Sequence, residues 1–299
     1  GYDKDYVAAV NIASAPTGQL IPPSNTLIVY ATVAGSVSVA ALFMAGYIPG
    51  IAWGISLMFI AGYMAKKRGY VSTFSVTPKE ALKVLWDALP SLLLIIIVIG
   101  GILKGVFTAT EGSAIAVVYA LILSLCYRSL KIKDPAVHYI EFLQDHLYCI
   151  FMIGVSSIMS WVMAYTMIPT AIANAMLSLS SNKYVILLLM NVILLVVGTF
   201  MDPTPAVLIF TPIFLPICQS FGMDPVQFGI MIVFNLCIGT ITPPVGVILF
   251  TGCKVVGISI EGVIKTLLPF FAAIAVVLLL VTYVPAMSMW IPSMLGLVK

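Results

Sequence analysis

The chain has 299 residues, of which 62% are hydrophobic and only 8% are charged. Soluble domains carry about 25% charged residues, so this composition excludes a water-soluble globular domain and predicts a protein surrounded by a lipid bilayer. The formal net charge of +3 is too small to indicate a nucleic-acid partner.

The start of the chain predicts a broken helix and then a membrane span. Residues 1–17 predict a helix that is interrupted by a glycine and a double proline within 18–23 and resumes over 24–34. Residues 40–65 then exceed the roughly 20 apolar residues that cross a bilayer.

The middle of the chain predicts two amphipathic helix starts, each followed by spans. Thr77-Pro-Lys-Glu80 has the pattern of a capping box and predicts a short helix in the membrane interface. Residues 89–107 and 113–127 predict an outward and a returning span. A second amphipathic segment begins at Asp134, and residues 148–168 predict the next span.

Basic residues occur in two groups that apolar stretches separate. Short loops rich in Lys and Arg remain cytoplasmic, so both groups predict cytoplasmic loops. The groups are Lys66, Lys67 and Arg68, followed by Lys79 and Lys83, and then Arg128, Lys131 and Lys133.

The C-terminal part predicts a helical hairpin, a second broken helix and a last span. The glycine and double proline within 239–244 interrupt the second broken helix as those within 18–23 interrupt the first. The predicted segments are the hairpin arms 184–200 and 206–220, the tip 201–205, the half-helices 225–237 and 245–256, and the span 264–288.

Two segments match at a constant offset of 221 residues. Five identities at one offset, including two double prolines, indicate an internal repeat. Interrupted helices at matching positions of two repeats point to the binding site of a transporter. The matched pairs are Gly1 with Gly222, Asp3 with Asp224, Gly18 with Gly239, Pro22 with Pro243, and Pro23 with Pro244.

Each double proline deprives several carbonyl groups of their helical partners. An unsatisfied carbonyl in hydrocarbon costs several kcal/mol, so such a break persists only where something else satisfies the oxygens. A bare cation such as sodium does so, and the negative end of the preceding half-helix attracts it. A pair of structural kinks is the alternative, because single prolines often bend membrane helices.

The repeat also predicts a hairpin before the first copy, equivalent to the one around Asp202. Because the sequence begins at Gly1, we expect this hairpin to lie in an N-terminal part of the natural protein that is absent from the sequence.

Two acidic residues are candidates for function. Asp202 lies at the hairpin tip, where it could line a cation site, hold the hairpin shut, or cap the helix that follows. Glu111 follows Thr108 between two spans, where a structural capping role is favoured over a coupling role. Hydroxyls and amides near the breaks are candidates for the substrate site, namely Ser14, Ser24, Asn25, Asn235 and Thr240.

Several stretches resemble the large membrane subunit of TRAP (tripartite ATP-independent periplasmic) transporters, and the likeness covers essentially the whole chain. It is strongest towards the sialic acid members of this DctM-like family. The stretches are Gly1-Tyr-Asp-Lys4, Gly18-Gln-Leu-Ile-Pro-Pro-Ser24, Ala109-Thr-Glu111, Gly198-Thr-Phe-Met-Asp-Pro203 and Gly239-Thr-Ile-Thr-Pro-Pro244.

The resemblance implies an elevator-type transporter in a bacterial inner membrane. It also implies a small membrane subunit (Q-type), a periplasmic protein that delivers an organic acid, and a sodium gradient that drives uptake, with no cofactor besides sodium. Sodium would be held mainly by main-chain oxygens. The first site would use Gly18, Ile21 and Pro23, and the second Gly198, Gly239, Thr242 and Val245, with Asp202 close by.

The sequence therefore predicts an all-α, polytopic transmembrane protein with inverted repeats, a helical hairpin and two helices broken at Pro-Pro. We expect a sodium-coupled symporter subunit for sialic acid or a C4-dicarboxylate. The alternatives are a passive channel and an intramembrane enzyme. The predicted division is 1–35 and 184–257 for the mobile transport domain, 36–183 for scaffold and connecting helices, and 258–299 for the C-terminal helix.

Overall fold

The computed structural model describes residues 2–70, 77–127 and 182–298, with isolated positions between 147 and 178. Every regular element in these ranges is a helix. The helices are α1 (Lys4–Ser14), α2 (Thr17–Leu20), α3 (Asn25–Ala34), α4 (Val39–Lys67), α5 (Pro78–Leu103), α6 (Ala109–Cys126), α7 (Lys183–Phe200), α8 (Pro203–Ser220), α9 (Pro225–Ile241), α10 (Val247–Val256), α11 (Ile260–Tyr283) and α12 (Ala286–Met294).

Six helices in the described part are long and apolar enough to cross a membrane, namely α4 to α8 and α11. The predicted all-α, polytopic membrane protein is therefore confirmed. Helices α7 and α8 form the hairpin. The first broken helix consists of α1 and α2 before the break and α3 after it, and the second consists of α9 before the break and α10 after it.

The chain divides into two compact units, Gly1–Tyr70 with Met152–Lys299, and Val71–Phe151. In the smaller unit α5 packs against α6, and the Tyr119 hydroxyl donates to the Pro90 carbonyl oxygen at 2.7 Å.

Helix α5 begins at the predicted capping box, in which the Glu80 carboxylate accepts the Thr77 amide at 2.9 Å. The helix then runs without interruption to Leu103, so the predicted division into a short interfacial helix and a separate span is wrong. The first glycine after the capping box is Gly100, and one internal proline does not end a helix whose apolar face continues.

In the larger unit, equivalent helices start 221 residues apart, which is the same offset that relates the matched residues. Helices α1 and α9 start at Lys4 and Pro225, and α4 and α11 start at Val39 and Ile260. The repeat therefore extends through α4 and α11, two helices beyond the last matched prolines.

The two copies pack reciprocally against each other, in addition to the contacts within each copy. Helix α1 of the first copy packs against α11 of the second, while α9 of the second copy packs against α4 of the first. Helices α4 and α11 also pack against each other. Reciprocal contacts of this kind arise when two similar units are related by an approximate two-fold axis.

The helices before both breaks run further than the glycines suggested. Helix α2 continues through Gly18 to Leu20, and α9 continues through Gly239 to Ile241. A glycine lowers helix stability by only about 1 kcal/mol, whereas proline removes a donor and clashes with the preceding turn, so the double prolines alone end these helices. The prediction of one helix over 1–17 missed the separation of α1 from α2 at Ala15-Pro16.

Three other helices start earlier than the predicted spans because polar residues cap them, and the first is α6, which Thr108 caps and which begins at Ala109. The hairpin tip shortens to two residues, since Asp202 caps α8 directly before Pro203. Ser259 caps α11, accepting the Gly262 amide at 3.3 Å, and the helix ends at Tyr283 and not at residue 288. The second basic group, the amphipathic segment from Asp134 and the span 148–168 lie outside the described residues apart from isolated positions.

Candidate functional site

The hairpin crosses the second broken helix at two glycines. Helices α7 and α9 approach so closely that a Cβ added to Gly239 would overlap the backbone of Gly198. A Cβ added to Gly198 would lie 3.1 Å from the Gly239 Cα. Only glycine allows two helix backbones to come this near. The structure thus brings together two residues predicted for the second ion site.

Main-chain oxygens gather at the second break, just beyond this crossing. The Gly246 amide donates to the Thr199 carbonyl oxygen at 3.1 Å, which joins the end of α7 to the break. A Cβ added to Gly246 would lie 2.8 Å from the Thr242 carbonyl oxygen and 3.2 Å from that of Thr240. Three carbonyl oxygens from two elements therefore lie around one backbone position.

Sequence reasoning selected Thr242 and Val245 in this region but missed Thr199 and Gly246. Gly246 has φ +48°, in the left-handed region that favours glycine. A glycine two residues after the double proline was the available signal, whereas Thr199 reaches the break only through the hairpin fold. Val245 is exposed, and because its side chain has no oxygen, any contribution to ion binding comes from its main chain.

Asp202 is exposed at the hairpin tip, between α7 and α8. Its carboxylate accepts a hydrogen bond from the Thr204 amide at 3.2 Å and thereby caps α8. The predicted capping role is confirmed, and its part in ion binding stays a prediction.

The first break packs against α4 through two further glycines. The Leu20 carbonyl oxygen lies against Gly46, and the Ile21 side chain covers Gly50. A side chain on either glycine would displace the break, so α4 determines where the first double proline lies.

The other two residues predicted for the first site, Gly18 and Pro23, are exposed. A cavity of about 490 Å³ lies between α1 and α10, and Ile12, Ala15 and Ile248 line part of it. In the second copy α8 of the hairpin packs against both α9 and α3, which are the equivalents of α1 and α10.

Gln19 connects the two broken helices. Its side-chain oxygen accepts a hydrogen bond from the Cys237 thiol of α9, with 3.2 Å between sulfur and oxygen. Its main-chain carbonyl accepts the Ser24 hydroxyl across the first double proline. Sequence reasoning missed Gln19, although it lies between the matched glycine and prolines.

Asn235, a candidate substrate residue, is fully buried in a polar network that joins α7, α9 and α11. Its amide donates to the Asn191 side-chain oxygen at 2.7 Å and to the Met231 carbonyl at 2.9 Å. Asn191 in turn donates to the Thr282 hydroxyl at 3.0 Å. The Asn235 side-chain oxygen has no hydrogen-bond partner among the described residues.

The other four substrate candidates lie at or beside helix ends around the breaks. Ser24 is buried and caps α3, whereas Asn25, the first residue of α3, is exposed. The hydroxyls of Ser14 and Thr240 donate to main-chain carbonyls three residues earlier, at 3.2 and 2.7 Å. Their part in substrate binding stays a prediction.

Glu111 caps α6 as the structural interpretation predicted. Its carboxylate accepts the Thr108 amide at 2.7 Å and the Thr108 hydroxyl at 3.0 Å, in the smaller unit.

An ion pair joins α1, the end of α4 and α11. Arg68 donates to both carboxylate oxygens of Asp5, at 2.9 and 2.7 Å, and the Thr266 hydroxyl donates to the same carboxylate at 2.6 Å. The Arg68 guanidinium beside Asp5 holds the pKa of that carboxyl well below its usual range. Asp3 lies 3.3 Å from Arg68 and accepts the Tyr70 hydroxyl at 2.7 Å.

Comparison with known proteins places these features in a family. The profile described as "Tripartite ATP-independent periplasmic transporter, DctM component" matches residues 1–287. "Uncharacterized protein YgiK" of Salmonella typhimurium is 50% identical over 294 residues, which cover 98% of this chain and 68% of that protein.

Two further relatives carry names that state a transport function. The C4-dicarboxylate TRAP transporter large permease protein DctM of Pseudomonas aeruginosa is 36% identical over 298 residues, 99% of this chain and 70% of that protein. The sialic acid TRAP transporter large permease protein SiaM of Vibrio cholerae is 35% identical over 299 residues, 98% of this chain and 69% of that protein.

These relatives are permeases and not enzymes, and the candidate spans agree with a multi-pass protein of the bacterial inner membrane. The resemblance drawn from the sequence is confirmed: the chain belongs to the DctM family of TRAP transporter large permeases.

Proposed function

We propose that the chain is the large membrane subunit of a sodium-coupled symporter that imports an organic acid anion. Sialic acid and C4-dicarboxylates are the proposed substrates, because two relatives at 35–36% identity carry these names. Both are carboxylates, so the substrate class is a small organic anion.

The main support for sodium binding is the group of carbonyl oxygens around Gly246. These oxygens lie where α9 ends, at the negative end of the helix dipole, and hard cations prefer oxygen ligands. The proposed ligands of this site are main-chain oxygens of Gly198, Gly239, Thr242 and Val245, with the Asp202 carboxylate nearby. Thr199 and Thr240 add two carbonyl oxygens to this set.

A second sodium ion would bind at the first break, through main-chain oxygens of Gly18, Ile21 and Pro23. The 221-residue repeat supports this proposal, because the first break has the same double proline and the helices before both breaks start at equivalent positions.

We further propose that the larger unit moves as one body in an elevator mechanism. The sequence prediction confined the mobile part to residues 1–35 and 184–257. The Asp5–Arg68 ion pair and the Asn191–Asn235–Thr282 network bind α4 and α11 to the broken helices. Helices α4 and α11 therefore belong to the proposed mobile body.

Two protein partners complete the proposal. A small membrane subunit would join the chain in the bilayer, and a periplasmic binding protein would deliver the substrate. The family's description as a tripartite periplasmic transporter supports both partners.

Uptake into proteoliposomes that contain the complete complex tests the proposal. Labelled sialic acid or succinate is offered with the purified binding protein, under an inward gradient of sodium or of potassium. We expect uptake only with sodium and the binding protein together.

Each other outcome would contradict a named part of the proposal. Sodium-driven uptake without the binding protein would contradict the proposed periplasmic partner. Equal uptake with the sodium and the potassium gradient would contradict sodium coupling, and flux independent of any ion gradient would indicate a channel.

A further inference from the structure

A basic cavity lies between the end of α4 and the start of α11. Its volume is about 460 Å³, within the range of roughly 300–1,000 Å³ typical of small-molecule sites. Its lining combines the basic residues Lys67, Arg68 and Lys265 with Tyr63, Met64 and Pro269.

The positive charge of this cavity comes from its two lysines. Arg68 adds no net positive charge, because it pairs with both Asp5 and Asp3. Lys67 and Lys265 have no ion-pair partner among the described residues. Glu261 precedes Lys265 by one helical turn, and it too forms no ion pair within the described part of the chain. Two uncompensated ammonium groups therefore border the cavity.

The helix faces at the cavity become less polar away from the charged end. On α4, Tyr63 lines the cavity one turn before Lys67, and Phe59 continues the same face one turn beyond the lining, with 66% and 74% of their surfaces exposed. On α11, Pro269 follows Lys265 by one turn. The charged end belongs to the basic group that predicts a cytoplasmic loop. The change from charged to apolar residues therefore runs from the cytoplasmic surface into the membrane.

We propose that this cavity binds the headgroup of an anionic phospholipid, such as phosphatidylglycerol, from the cytoplasmic leaflet. The ammonium groups of Lys67 and Lys265 contact the lipid phosphate, and Tyr63 lies at the level of the glycerol backbone. The acyl chains extend along the exposed face of Phe59. Basic pockets between membrane helices on the cytoplasmic side suit such headgroups, and a free phosphate ion makes no use of the apolar lower half.

Native mass spectrometry of the full chain in its membrane complex, titrated with phosphatidylglycerol, tests this site. The double variant Lys67→Gln/Lys265→Gln should bind the lipid about 30-fold more weakly, on the order of fivefold for each lysine. The matched control is Lys66→Gln/Lys254→Gln, which removes the same charge from exposed lysines outside the cavity.

The proposal requires that the control variant retain wild-type affinity and that phosphatidylcholine bind no better to wild type than to the double variant. Equal loss in both variants would indicate general charge attraction and overturn the site. Displacement of the lipid by an equal concentration of glycerol phosphate would indicate a soluble anion as the ligand. Unchanged affinity in the double variant would also overturn the proposal.

Discussion

At Gly239 a hydrogen atom in place of a side chain allows two helices to meet backbone to backbone. The same contact places the end of the hairpin beside the second break, where Thr199 accepts the Gly246 amide. The geometry of the proposed ion site therefore depends on the absence of one methyl group.

We expect Gly239→Ala to separate α7 from α9, to destabilise the protein by about 2 kcal/mol and to abolish uptake. Gly54→Ala on α4 is the matched control, because its Cβ would meet open space and improve helix propensity by up to about 1 kcal/mol. Thermal unfolding in detergent and sodium-driven uptake measure both effects. Equal behaviour of the two variants would show that the crossing does not matter.

Asp202 offers a way to separate capping from charge. Asparagine caps helices as well as aspartate does but carries no charge, whereas alanine removes both properties. We expect Asp202→Asn to keep wild-type stability and to raise the sodium concentration needed for half-maximal uptake. Asp202→Ala should also lose about 1 kcal/mol of stability. If Asp202→Asn kept the wild-type sodium dependence, the role of Asp202 would be helix capping and not ion binding.

At the scale of elements, the capping box of α6 makes a similar distinction for Glu111. Glutamine preserves the box, because its side-chain oxygen still accepts the Thr108 amide. We therefore expect Glu111→Gln to transport at the wild-type rate. A large loss of sodium-driven uptake in a folded Glu111→Gln variant would instead assign the carboxylate a coupling role.

The Asp5–Arg68 pair links three elements and confers a defined pH dependence. Its folded pKa lies below the unfolded value of about 3.9, so the pair stabilises the protein above that pH and loses its effect as pH falls through the folded value. Asp5→Asn should lower stability by about 2 kcal/mol between about pH 5 and pH 8, and the difference from wild type should shrink below about pH 4. Unfolding across this pH range measures it, and a constant difference down to the lowest pH would contradict the assignment.

The order of helices was largely readable from the sequence, because apolar runs, double prolines and Asp-Pro caps act locally. The hairpin arms and both breaks were predicted within a few residues. Contacts between distant segments were not readable. Nothing local indicates that Thr199 meets Gly246, that Gln19 meets Cys237, or that a buried network joins α11 to the hairpin.

The packing of the two copies determines what can move at the scale of the whole molecule. Ile12 of the first copy packs on Gly252 of the second, and a Cβ added to Gly252 would lie 3.8 Å from the Ile12 Cβ. This separation equals the usual Cβ–Cβ distance of a disulfide, about 3.8 Å. A disulfide between these positions therefore meets the Cβ–Cβ distance requirement and would fix the copies to each other.

We expect the oxidised Ile12→Cys/Gly252→Cys variant to transport as fast as its reduced form, because an elevator moves both copies together. Uptake is measured before and after reduction, with the single variants as controls for the native cysteines. Loss of uptake on oxidation, restored by reduction, would mean that the two copies move relative to each other.

The packing of α1 against α11 also has a consequence for biosynthesis. The carboxylate of Asp5 accepts a hydrogen bond from the Thr266 hydroxyl, which is synthesised 261 residues later. At ordinary rates of translation this interval is on the order of ten to fifty seconds. Helix α1 is therefore made well before its partner on α11, so synthesis of the first copy and its assembly with the second are separate events in time.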